Sequence, residues 1–214
     1  MEFQRLYEPE ILDGDRVPEP VASKSYRELT TIHRVLGNTR YLVSAMRDNP
    51  YPIRRVLDVG CGRGGLLREI TERLGVEGVG VDVSPVPAKK IPILLADATR
   101  DSLPCADVAY SAYVAHHLSE VDLRRMICNV GRSCRRFILL DVVRSWLPFA
   151  LFRVFIAPWV SAVTAADGQT SIRRAYSPRE LEGLVARALA GTGARFHHSV
   201  SALGIRQVID ITYY

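Results

Sequence analysis

Cysteine is scarce and unpatterned in this sequence. Cys61, Cys105, Cys128 and Cys134 form no CxxC pair and no His/Cys ligand cluster, so neither a metal site nor a disulfide framework is expected, and a reducing cytoplasm is the expected setting. Long apolar runs are also missing. The one candidate, Ser145 to Ala166, is broken by Pro148, Arg153 and Pro158, and the charged N-terminus through Asp15 has no apolar signal core. Neither a membrane span nor a secretion signal is expected. There is no internal repeat and no low-complexity tract. Charge of one sign does not dominate: 28 basic against 23 acidic residues leave +5, which suits nucleic acid, anionic lipid or a plain basic surface and selects none of them. What remains is an ordinary globular composition, 48% hydrophobic and 24% charged over 214 residues, enough for one substantial core.

Apolar periodicity organises that core. Ser25 to Met46 predicts helix, with Leu29, Ile32, Val35 and Leu36 on one face and a break at Gly37-Asn38; Pro50 and Pro52 then separate this cap from the rest of the chain. Strand and helix patterns alternate afterwards: strand Arg55–Val59, helix Leu66–Leu74, strands Gly78–Val81, Ile93–Leu95 and Val108–Ala112, helix Asp122–Gly131, strand Phe137–Leu140. Such alternation predicts a parallel sheet covered by helices. The end differs: a helix over Pro178–Ala190 precedes two strand-like runs, Arg195–Ala202 and Ile205–Tyr213, joined at Leu203-Gly204 as a hairpin.

The chemistry begins at Val56-Leu-Asp58-Val-Gly60-Cys61-Gly62-Arg-Gly64-Gly65. Glycines between an apolar strand and an apolar helix let backbone approach a ligand closely. Gly60, Gly62 and Gly65 also satisfy the dinucleotide pattern GxGxxG. Asp58 breaks the tie, because a carboxylate ahead of the loop would repel a pyrophosphate and attract an ammonium group. Asp82, at the end of the next strand, is placed to accept ribose hydroxyls. Asp97 follows the third strand, where it can accept from an adenine amine beside Ala98. Three acids at three successive strand ends describe one cleft.

These residues, with the later Leu103-Pro104, Asp107-Val108 and His116-His117-Leu118, resemble the successive motifs of class I S-adenosylmethionine-dependent methyltransferases over roughly Arg54 to Leu140. Within that superfamily the sequence is similar to the small-molecule branch of quinone and polyketide-tailoring enzymes. The resemblance implies a Rossmann-like, doubly wound α/β fold with a seven-stranded, mostly parallel sheet, a C-terminal antiparallel hairpin and an N-terminal helical cap. It implies S-adenosylmethionine as cofactor, leaving as S-adenosylhomocysteine, bound by Asp58, Gly60, Cys61, Gly62, Gly64, Asp82, Val83, Asp97, Ala98 and Tyr113. His116 or His117, beyond the fourth strand, is then placed to remove the acceptor's proton. His117 stands where aromatic O-methyltransferases usually carry Asp. The Asn/Asp-Pro-Pro-Tyr/Phe signature of N-methyltransferases is absent, its place being taken by Ser111-Ala-Tyr-Val, which disfavours amide or base nitrogen.

The acceptor expected is a small apolar or aromatic metabolite methylated on oxygen or carbon. Trp146 and Phe149 belong to an aromatic segment, Ser145–Val160, suited to a lid over such a molecule and equally suited to a homodimer surface. Asp167-Gly168 follows it. Arg173, Arg174 and Tyr176, ahead of a Ser177/Glu180 capping box, are candidates for an acceptor carboxylate or phenolate, and His33 for an acceptor contact. One domain over residues 1–214 is expected, comprising a cap (1–50), a cofactor core (51–142), a lid (143–176) and a C-terminal helix and hairpin (177–214). Two further readings stay open: an RNA methyltransferase using Arg124-Arg125, Arg132, Arg135-Arg136 and Arg144, and a non-catalytic cofactor-binding module.

Overall fold

The computed structural model describes the chain except residues 1–2, 15–16, 85–90 and 202. Its elements run α1 (Glu19–Val35), α2 (Asn38–Arg47), β1 (Arg55–Val59), α3 (Gly65–Leu74), β2 (Glu77–Asp82), β3 (Ile93–Leu95), β4 (Val108–Ala112), α4 (Glu120–Val130), β5 (Arg136–Val142), α5 (Trp146–Phe155), α6 (Ala162–Arg174), α7 (Pro178–Leu189), β6 (Arg195–Val200) and β7 (Arg206–Thr212). The seven strands form one sheet in the order β3-β2-β1-β4-β5-β7-β6. The first five are parallel, and β7 lies antiparallel between β5 and β6. This is the expected doubly wound sheet with its terminal hairpin. β6 ends at Val200 and β7 begins at Arg206, a wider separation than the Leu203-Gly204 turn expected; Ala202, expected as strand, lies outside the described residues.

Period-two alternation sorts the sheet's side chains into two cores. Leu57, Val59, Phe137 and Leu139 face one way, against Leu123, Met126 and Ile127 of α4 and Leu181, Leu184 and Val185 of α7. Val56, Val108, Ile138 and Leu140 face the other, against Leu42, Val43 and Met46 of α2 and Leu67 and Ile70 of α3. Central strands buried on both faces explain the nearly unbroken apolar runs that made them legible. Because β1 leads outward to β2 and β3 while β4 starts on its other side, a crevice opens above the carboxyl ends of β1 and β4, the usual ligand position in such sheets.

The cap is two helices, broken at Gly37 (φ 72°) as expected. The segment Ala162–Arg174, for which no helix was expected, is α6. Ser161 caps it by accepting from the Thr164 N–H, and Gly168 lets the ring of Phe152 from α5 sit directly on its backbone, where any Cβ would overlap it. The expected capping box is present: Ser177 accepts from Glu180 N–H while the Glu180 carboxylate accepts from Ser177 N–H at 2.8 Å. Ser177→Ala should lower stability by about 1 kcal/mol, measured as a shift of the urea midpoint at constant slope.

Candidate functional site

Above the crevice lies a cavity of about 1250 Å³. Its floor is the loop after β1. Gly62 and Gly64 take φ of 53° and 68°, in the left-handed region that side chains disfavour, and Tyr26 and Thr30 of α1 pack so closely on Gly62 and Gly65 that a Cβ would lie 3.0 and 2.6 Å from them. Asp82 fastens this loop: its carboxylate accepts the Gly62 N–H at 2.7 Å and the Ser84 N–H at 3.0 Å. Each oxygen keeps a lone pair for a ligand hydroxyl. Asp97 is held by Thr99, whose N–H and hydroxyl donate at 2.9 and 2.7 Å, and Arg100 lies 3.2 Å away. Gly60, Cys61, Gly62, Gly64, Asp82, Val83, Asp97, Ala98 and Tyr113 therefore line one cavity.

Asp58 does not. It lies behind the loop, 2% exposed and outside the cavity lining, with the Tyr110 hydroxyl donating to it at 2.6 Å. The direct contact with an ammonium group expected of Asp58 is thus corrected: side chains on β1 alternate, and this one points into the α2/α3 side of the sheet. Burial, opposed by the Tyr110 hydrogen bond and helped by the charge of Asp82, pushes its carboxyl up to about 7. A folded-state value above the ordinary 3.8 means that the contribution to stability is complete below about pH 4 and is lost as pH rises through about 7. Asp58→Asn should accordingly flatten the melting temperature between pH 4 and 8, and an unchanged pH profile would count against a buried, late-ionising acid here.

The fourth strand ends in strain. Tyr113 has φ 62°, the one non-glycine in the left-handed region among the described residues, and is pinned by its N–H to Leu140 O at 2.8 Å. Its hydroxyl accepts from the Asn38 amide at 3.2 Å; the same amide nitrogen lies 3.2 Å from His33 Nδ1, and Asn38 Oδ1 accepts from Arg206 at 2.9 Å. Arg206 fixes the amide's orientation, so His33 Nδ1 is the acceptor and Nε2 carries the proton. Burial lowers the His33 pKa to about 4, leaving a neutral ring edge-on to Tyr113 in the cavity wall.

The histidine pair sits on the short 3-10 turn Ala115–His117. His116 is 2% exposed; its Nδ1 is 2.8 Å from Asp141 Oδ1, and its N–H donates to Asp141 Oδ2 at 2.8 Å. Burial alone would favour a neutral ring, but Asp141 and then Glu10 outweigh it and raise the pKa to about 10. A ring that keeps its proton at neutral pH is no proton acceptor, so the expectation of His116 as general base is corrected. His117, less buried, lines the cavity with Nδ1 3.2 Å from Asp13 Oδ2.

The stretch ahead of α1, part of the expected cap (1–50) but with no site residue expected in it, makes the far wall. Arg5 donates to the carbonyls of Arg174 and Leu118 and lies 3.6 Å from the Tyr176 ring centre, while the Ile11 and Leu12 N–H groups donate to Asp167. Glu10 and Asp13 thereby reach the cavity, as does Arg174, bound to Asp13 at 3.1 Å. Tyr176 is outside the lining, buried with its hydroxyl on Leu118 O, and Arg173 is exposed on the outer side of α6. The lid meets the cavity through Pro148, Leu151, Phe152 and Phe155, whereas Trp146 and Phe149 pack on Phe3 outside it. Helical geometry decides this: the residues facing inward on α5 are spaced three and four apart and exclude those two positions. The arginine stripe is dispersed, since Arg136 pairs with Asp210 at 2.6 Å and Arg144 is buried against Glu180 at 2.7 Å. Among the described residues no helix is long and apolar enough to cross a membrane.

Residues 26–188 match the family profile described as "Methyltransferase domain". The chain is 30% identical to a ubiquinone biosynthesis O-methyltransferase of Azorhizobium caulinodans, over 64% of each chain; it thus spans less than two thirds of that relative's length. Over a shorter stretch, 18% of this chain and 11% of the other, it is 47% identical to the chloroplastic tocopherol O-methyltransferase of Arabidopsis thaliana. Among solved structures, the plantazolicin methyltransferase BpumL in complex with SAH superposes with a TM-score of 0.71 at 12% identity, covering 95% of this chain and 93% of the other. At that identity the likeness concerns the fold.

Proposed function

The chain belongs to the methyltransferase-domain family, and from that premise we propose that it transfers a methyl group from S-adenosylmethionine to an oxygen or carbon of a small apolar or aromatic molecule. One observation carries the reading: the ends of β1, β2 and β4 and the segment after β3 deliver the glycine loop, Asp82, Asp97 and Tyr113 to a single cavity whose other side is the apolar face of α5. A glycine loop and Asp82 would suit a dinucleotide too, and family membership supports the methyl donor. The relatives are named for O-methylation in ubiquinone biosynthesis and for O-methylation of tocopherol, which agrees with the aromatic and aliphatic lining offered by Leu151, Phe152 and Phe155.

The bound donor would supply a methyl group already activated on a sulfonium. Asp82 would accept hydrogen bonds at the ribose, and the bare Cα positions of Gly60, Gly62 and Gly64 would leave room for the amino-acid part. The loop's own N–H groups at Gly60, Cys61, Gly62 and Gly64 are taken by Val81 O, Asp82 and Cys61 O. Asp97, held in position by Thr99, and Ala98 would border the adenine. Tyr113, locked in a strained backbone by its neighbours, sets the wall between donor and acceptor. His33 presents a neutral N–H for an acceptor oxygen. Alignment of acceptor and donor across this wall, with water kept out by α5, provides the main rate gain. The expected cytoplasmic setting and single-domain organisation belong to the same proposal.

Purified protein incubated with methyl-labelled donor and a series of phenols, hydroquinones and heteroaromatic acids is expected to label an apolar aromatic acceptor, and calorimetry to detect S-adenosylhomocysteine. Labelling confined to RNA, or binding of NAD in preference to S-adenosylhomocysteine, would overturn the reading.

A further inference from the structure

Glu10 reaches His116 and His117 only because the N-terminal segment folds over the turn after β4. Its Oε1 lies 3.2 Å from Nε2 of His116 and 3.7 Å from Nε2 of His117, and the Ser171 hydroxyl donates to the same oxygen at 2.7 Å. On the opposite side each ring meets a different carboxylate: His116 Nδ1 is 2.8 Å from Asp141 and His117 Nδ1 is 3.2 Å from Asp13. A carboxylate that takes the Nδ1–H fixes the ring with Nε2 toward Glu10, the outer-shell arrangement of metal-ligating imidazoles, and an ion arriving there would displace the proton that His116 otherwise carries on Nε2. Donors sharing a tetrahedral ion through bonds of ~2.0–2.1 Å stand roughly 3.3 Å apart, close to the 3.2 and 3.7 Å found here, and the three ligand atoms all lie within 4.8 Å of one another.

An independent observation points the same way. His116 is 2% exposed, yet its Nε2 has no hydrogen-bond partner among the described residues, because Glu10 is near but off the line of an N–H bond. A buried polar atom left unaligned is costly, and an ion between the three groups would satisfy it. We propose that Glu10, His116 and His117 hold one divalent cation of the zinc class, with its fourth coordination position open to the cavity that all three line. Two imidazoles and one carboxylate are a donor set that zinc takes readily, and three protein ligands with an open position mark a site built to receive another ligand. The histidine pair is then a ligand pair instead of a proton acceptor. An acceptor hydroxyl at the fourth position would give up its proton more easily. That consequence rests on the methyl-transfer reading; the cation site itself does not.

Protein stripped with a chelator and titrated with cobalt(II) should take up one equivalent per chain, with the strong visible bands of a four-coordinate ion that zinc displaces, and should melt at a higher temperature once loaded. Glu10→Gln and His117→Ala should each weaken uptake at least tenfold, while His197→Ala on β6 should leave it unchanged. No saturable uptake, the pale spectrum of a six-coordinate ion, or uptake indifferent to Glu10 and His117 would overturn the proposal. Calorimetry with S-adenosylhomocysteine on the stripped protein separates the two readings. Donor-product binding without a metal site would leave methyl transfer standing and remove the cation, and a metal site without that binding would do the reverse.

Discussion

Asp82→Ala is expected to weaken binding of S-adenosylhomocysteine by about 1–3 kcal/mol, roughly five- to 150-fold, through lost hydrogen bonds to a charged acceptor. The loss has two sources. Asp82 would face the ribose, and it also fastens the glycine loop by accepting from Gly62 N–H at 2.7 Å and Ser84 N–H at 3.0 Å. Asp82→Asn separates them, since its carbonyl still accepts from Gly62 while the charge and one acceptor are gone; it should fall between the parent and Ala. Calorimetry measures both, with thermal melts to verify folding. Undiminished affinity in the Ala variant would take Asp82 out of the site.

The second large effect concerns stability. Asp141 is 1% exposed at the end of β5 and receives the His116 N–H, the His116 ring nitrogen and the Val142 N–H. Removing one partner of a buried charged pair strands the other, which typically costs 3–5 kcal/mol. Asp141→Ala should therefore lose about that much in urea unfolding with chelator present, and Asp141→Asn, which still accepts at one oxygen, should lose less. A loss below about 1 kcal/mol, the scale of an ordinary net hydrogen bond, would mean that the pair is not charged in the folded state.

Much of the fold and part of the site were readable in the residues. The central strands declared themselves because β1, β4 and β5 are buried on both faces, and the glycine loop, Asp82 and Asp97 are each local to a strand end. The Ser177/Glu180 box was legible because a cap involves only its own helix turn. α6 was not, since its small and polar residues give little apolar periodicity and its stability comes from packing: Gly168 against Phe152, and Asp167 under the backbone of residues 11 and 12. Asp58 misled because its position in the motif says nothing of which sheet face its side chain joins. Trp146 and Phe149 misled because aromatic content does not reveal the direction of a helix face.

From the amino-acid order alone come the family, the order of strands and helices along the chain and the loop that would bind the donor, all of them consequences of patterns within a few neighbouring residues. Tertiary structure alone decided that Asp58 is buried behind that loop, that Asp141 and Glu10 surround His116, and that the N-terminal segment completes the cavity. These depend on contacts between residues far apart in the chain. Their energies arise from burial and from charges brought together on folding, which no local pattern of residues records.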